Sequence, residues 1–117
     1  MTIQSNKYQI ADALSERRDR PSVGLIVLNT DFTFERDFVR MYTEQKPDYD
    51  FYFNRIHFAN PMTPESLAAI GDDLTEAAAL ILPNYDLDIV VFNCTSSSSI
   101  VGDDAIENAI QESKPTA

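Results

Sequence analysis

An α/β fold, a short parallel sheet packed between helices, is predicted by three observations. Short apolar runs recur at Val23 to Leu28, Asp50 to Ile56 and Ile89 to Phe92. Each is followed by residues with a helical apolar period. Breakers such as Lys46-Pro47-Asp48 and Pro83 punctuate the alternation. Strand then helix, three times over, implies a parallel sheet with crossover connections. Such sheets bind ligands beyond the carboxyl ends of their strands, near a switch in strand order. The loops Asn29 to Thr33 and Cys94 to Ser99 occupy those positions, side by side if the first strand is central.

The elements follow in order. Residues 1–21 are polar, with a weak apolar face at Tyr8, Ile10 and Leu14, and read as a surface arm. Residues 22–114 read as one α/β half-domain, and 115–117 as its C-terminal tail. Val23 to Leu28 is a buried strand in which Gly24 permits close packing. Phe34, Phe38, Met41 and Tyr42 share one helical face, with Asp31 or Thr33 as cap. Asp50 to Ile56 is aromatic-rich and reads as a more exposed strand. Thr63 caps a helix with Pro64 at its first position. Its stripe is Leu67, Ile70, Leu74, Ala77, Ala78 and Ile81, and it stops near Pro83. Ile89 to Phe92 reads as a strand buried on both faces. A hydroxyl-rich loop from Thr95 to Ser99 comes next, then an apolar-periodic segment from Ile100. Ile106, Ala109 and Ile110 mark the third helix.

With 117 residues the chain is at most one modest domain. Its net charge of −10, from 19 acidic and 9 basic residues, argues against nucleic acid or an anionic membrane as partner. One cysteine and one histidine exclude a disulfide scaffold and leave little for zinc, so no metal site is expected and a cytoplasmic location is. Asn93-Cys94-Thr95 matches a glycosylation acceptor, but the first twenty residues are polar and do not read as a signal peptide.

Asp88 to Gly102, DIVVFNCTSSSSIVG, carries the chemistry. A thiol at the start of a helix meets the positive end of its dipole and free N–H groups, which favour the thiolate. A thiolate abstracts a proton or attacks an electrophilic carbon. The N–H groups and hydroxyls of Thr95 and Ser96 suit a carboxylate or the enediolate formed from it. The competing reading is a buried structural cysteine followed by a solvated serine cap.

Phosphate chemistry fits poorly. A cysteine-phosphatase loop needs an arginine where Ile100 stands, and with three glycines the chain has no glycine-rich phosphate pattern. Asp31, after the first strand, repels phosphate and is a candidate both for helix capping and for substrate contact. His57 reads as a surface or packing residue, and Arg55 as the partner of a nearby carboxylate. Tyr49, Phe51, Tyr52 and Phe53 read as sheet and core. Asp72-Asp73 and Asp103-Asp104 read as solvated helix faces.

The segments VGLIVLNTDFTFERD, TPESL and DIVVFNCTSSSSIVG together resemble the aspartate/glutamate racemase superfamily. They look most like the branch holding maleate cis-trans isomerase and arylmalonate decarboxylase, and within it the ectoine-utilisation members. The resemblance covers Val23 to Gly102 and is most specific in the cysteine loop. It implies a racemase-like, three-layer α/β/α half-domain. In that superfamily two such halves enclose the site, two cysteines face each other across the substrate, and no metal or organic cofactor is used. By position Cys94 matches the first-half cysteine, and Thr95 and Ser96 its carboxylate-holding loop. Asp31 falls where isomerase-like members carry a substrate-contacting asparagine, in the loop that opens with Asn29. An aspartate there suits a substrate with an amino group. The second half lies outside this sequence, so a parent protein or a pairing of two copies is expected to complete the pocket. The expected function is half of a cofactor-independent isomerase, racemase or decarboxylase acting beside the carboxylate of a small amino or dicarboxylic acid. A non-catalytic anion-binding or assembly module is the alternative.

Overall fold

A computed structural model describes residues 20–58 and 63–117. Residues 1–19, including the face at Tyr8, Ile10 and Leu14, and the side chain of Leu67 lie outside the described part. The order is β1 (Ser22–Leu28), α1 (Phe34–Gln45), β2 (Asp50–Ile56), α2 (Pro64–Leu80), β3 (Ile89–Phe92), α3 (Thr95–Val101) and α4 (Asp103–Gln111).

The three strands form one parallel sheet in the order β2-β1-β3. β1 is central because it is apolar on both faces. Leu25, Ile26 and Val27 are each 2 % exposed or less. The connection after β1 moves to one side of it, and the connection after β2 returns to the other. The carboxyl ends of β1 and β3 therefore flank the switch in strand order.

Alternation along β2 assigns the two faces. Phe51 and Phe53 meet Phe34, Phe38 and Tyr42 of α1 in an edge-to-face cluster, with Phe38 and Phe51 centroids 5.0 Å apart. Tyr52, Asn54 and Ile56 face α2, and Asn54 Nδ2 donates to the carbonyl of Ala77. The main core forms here from Ile26, Ile56, Ile70, Leu74, Ala77, Ala78, Ile81, Leu87, Ile106 and Ile110. Fully burying Ile26, Leu74 or Leu87 contributes roughly 2 kcal/mol apiece. Gly24 faces this core, and a Cβ there would lie 2.7 Å from Leu87 Cδ1.

The helix ends have local causes. Thr63 accepts from Ser66 N while Ser66 Oγ accepts from Thr63 N, a reciprocal box behind Pro64. Lys46 ends α1 in the left-handed region at φ 47°. The C-terminal residues are laced onto the domain: Ser113 Oγ donates to Thr75 O, Thr116 Oγ to Leu87 O, and Lys114 Nζ to Leu82 O and Tyr85 O.

Three expectations are corrected. β3 is not buried on both faces: Ile89 is 54 % and Val91 39 % exposed, because no described helix covers that face of the edge strand. The serine run is not a loop. Thr95 to Ser99 are helical, and Ser99 Oγ donates to Thr95 O one turn back, so this hydroxyl, which could favour a turn, is satisfied within the helix. The segment after β3 is two helices, broken at Gly102, whose φ of 95° disfavours any side chain. As expected, α2 stops near Pro83, its last residue being Leu80.

Candidate functional site

Cys94 is the residue between β3 and α3. The first intrahelical bond runs from Ser98 N to Cys94 O, so the amides of Thr95 and Ser96 have no partner within the helix. The side chain is 9 % exposed, and its Sγ lies 3.1 Å from Ser97 Oγ and 3.8 Å from Ser96 Oγ. It borders an open cleft of about 500 Å³ whose walls are Phe92, Asn93, Thr95, Ser98, Ser99, Gly102 and Asp103. The cleft combines one thiol, several hydroxyls and one carboxylate, a polar setting able to hold a small charged molecule against a nucleophile.

Asn29 and Asp31 lie on the neighbouring loop after β1. They are not among the residues lining the cleft at Cys94. Asn29 bridges to the end of β2: its N donates to Ile56 O, its Oδ1 accepts from Phe58 N, and its Nδ2 is 3.4 Å from His57 Nδ1. Asp31 Oδ1 accepts from Thr33 N and Phe34 N, both at 2.9 Å, and so supplies the cap that Thr33 does not. The Phe34 N–H bond, more than any other contact, holds its carboxyl below the ordinary 3.8; partial desolvation opposes this, and the Thr33 amide and Arg55 add to it. The carboxylate is therefore ionised at neutral pH.

No family model, curated protein or solved structure matches this chain.

The likeness to the racemase superfamily thus rests on the three quoted segments. The structure brings Cys94 and Thr95 to one cleft, with Ser96 adjacent to the thiol and the Asp31 loop on the next strand. Arg55 pairs with Glu35 at 2.7 Å, as its strand-end position implies. Tyr49, Phe51 and Phe53 are half-buried members of the aromatic cluster on the α1 face, outside the main core, Tyr52 packs against that core on the opposite face, and Asp72 and Asp104 are exposed. Among the described residues no cluster of three or more His, Cys, Asp or Glu is placed to hold a metal ion, and no helix is long and apolar enough to cross a membrane.

Two contributors were not anticipated. Asp103, expected only on a solvated face, also lines the cleft, because Gly102 turns the start of α4 toward it. Ser97, completely buried, is the closer partner of the thiol. The i, i+3 spacing from Cys94 finds Ser97 once the serine run is taken as helix rather than loop. Ser97 also borders a small cavity of about 70 Å³ shared with His57, Ser66 and Asp73, which Cys94 does not line.

Proposed function

We propose that this chain is one half of a cofactor-independent, cysteine-dependent enzyme with the racemase-superfamily fold. It acts at the carbon next to a carboxylate of a small amino or dicarboxylic acid, and its place is in ectoine catabolism. The observation that carries the chemistry is Cys94 beside an open polar cleft, at the carboxyl end of a strand flanking the switch in strand order. Cys94 is the acid/base or nucleophile. Thr95 and Ser96 hold carboxylate oxygens with their amides and hydroxyls. Asp103 on the cleft wall favours a substrate bearing an ammonium group over a bare dianion, and Asp31, ionised on the loop after β1, adds negative charge at the same end of the sheet. The choice among racemisation, isomerisation and decarboxylation belongs to the second wall of the pocket, supplied by a parent protein or a second copy. The substrate class and pathway rest on the sequence resemblance.

One observation favours the second reading, a non-catalytic anion-binding module. The Asp31 carboxylate is engaged in capping α1 and does not line the cleft. Solvent exchange separates the two. The longest native form of the protein, incubated in D₂O with a panel of small amino and dicarboxylic acids, should incorporate deuterium at the carbon beside the carboxylate. Cys94→Ser should abolish the incorporation. Exchange that persists in the variant, or is absent across the panel, would sink the enzyme reading.

A further inference from the structure

Arg55 is the penultimate residue of β2, paired in register with Val27 of the central strand. Its Nη1 donates to the carbonyls of Leu28 at 3.0 Å and Asp31 at 2.6 Å, and its Nη2 to Glu35 Oε2 at 2.7 Å. One planar group thus joins the end of β1, the turn that follows and the first turn of α1. Asp31 is held at both ends, its backbone carbonyl by Arg55 and its carboxylate by the amides of Thr33 and Phe34.

We infer that Arg55 is a positioning residue that fixes the Asp31 loop at the carboxyl end of β1, next to the strand that leads to Cys94. The role assigned to that loop rests on the proposed function; the clamp itself does not. A lysine would keep the charge but cannot present the same fork to two carbonyls and a carboxylate. Glu35 is the other charged group in the contact, and it aims the guanidinium from the α1 side. The alternative role for a strand-end arginine is a surface ion pair of little consequence. The two carbonyl bonds distinguish this one, because they close the turn on which Asp31 sits.

The test is NMR of the folded chain, comparing wild type with Arg55→Gln and Arg55→Lys. Amide exchange at Thr33 and Phe34 should quicken about fivefold or more in both variants, because the turn opens locally. The carboxyl titration of Asp31 should move up toward 3.8 in Arg55→Gln and stay near wild type in Arg55→Lys, which a loop loosened without any charge effect would not reproduce. If Arg55→Gln does not fold, Glu35→Gln releases only the outer contact and should show a smaller change in the same exchange rates. Unchanged exchange and titration in a folded Arg55→Gln, or full recovery of both in Arg55→Lys, would overturn the inference. None of these readouts involves turnover, so a protein without cysteine-dependent exchange would sink the proposed function and leave the clamp standing.

Discussion

The thiol of Cys94 lies 3.1 Å from the hydroxyl of Ser97, one helical turn on and fully buried. The thiol donates this bond, and the hydroxyl one turn on accepts it. Ser97→Ala removes that acceptor and frees the Cys94 side chain toward the open cleft it borders. With roughly 1 kcal/mol at stake in the bond, alkylation of Cys94 by iodoacetamide should quicken about fivefold at pH 7. Mass-spectrometric labelling rates at that pH check this. Equal rates in the two proteins would mean that Ser97 is only filler.

Asp31 carries an acid-dependent share of stability. Its folded-state carboxyl lies below the ordinary 3.8, so its contribution is complete above 3.8 and is lost as pH falls through the lower folded value. Asp31→Ala should cost about 1 kcal/mol at pH 7, the usual loss for a removed helix cap. The difference from wild type should shrink as acid unfolding is approached. Urea titrations at pH 7 and near pH 3 measure both quantities, and a constant difference would refute the assignment.

Lys114 behaves in the opposite pH range. It is 2 % exposed, and burial lowers its ammonium below the ordinary 10.5, while Asp86 pulls it back up. Between the folded value and 10.5 the unfolded chain binds the proton more tightly, so this residue's contribution grows as pH rises through that window. Lys114→Met leaves the carbonyls of Leu82 and Tyr85 without their donor and should cost about 1–3 kcal/mol. The advantage of wild type over the variant should widen from pH 8 toward 10.5, read by denaturant unfolding.

Gly24 and Leu87 form a packing pair. Alanine at 24 gains some strand preference but meets the buried Leu87 Cδ1 at 2.7 Å and Ile81 Cδ1 at 3.3 Å. Gly24→Ala should be destabilised by about 1 kcal/mol, and Gly24→Val by clearly more. Combining Gly24→Ala with Leu87→Val should cost less than the sum of the two changes, because the shorter side chain makes room. Additive losses in thermal unfolding would show that the contact is already relieved.

Much of this fold was legible in residue order. Thr63-Pro64 fixed the start of α2, the spacing of Ile70, Leu74 and Ala77 its buried face, and the apolar run Leu25 to Val27 the central strand. Ile89 to Phe92 misled because an apolar run states only that burial is favourable, not that a neighbour is present to provide it. The serines misled because their weak helical preference was overridden by position, immediately after a strand and before Ile100 and Val101. The candidate cysteine and its hydroxyls were visible in sequence. The engagement of Asp31 with the helix amides was visible only as one of two options, since capping and ligand contact ask for the same residue type.

The open side of β3 bears on how the molecule behaves in a crowded solution. Ile89-Val90-Val91-Phe92 has no lysine or proline to blunt its edge, the usual devices against edge-to-edge strand pairing. Long-range repulsion from a charge of −10 opposes such association. Salt weakens that repulsion over a distance of about 8 Å at physiological ionic strength. The acidity of the chain therefore acts as a colloidal shield, and the shield thins as salt is added.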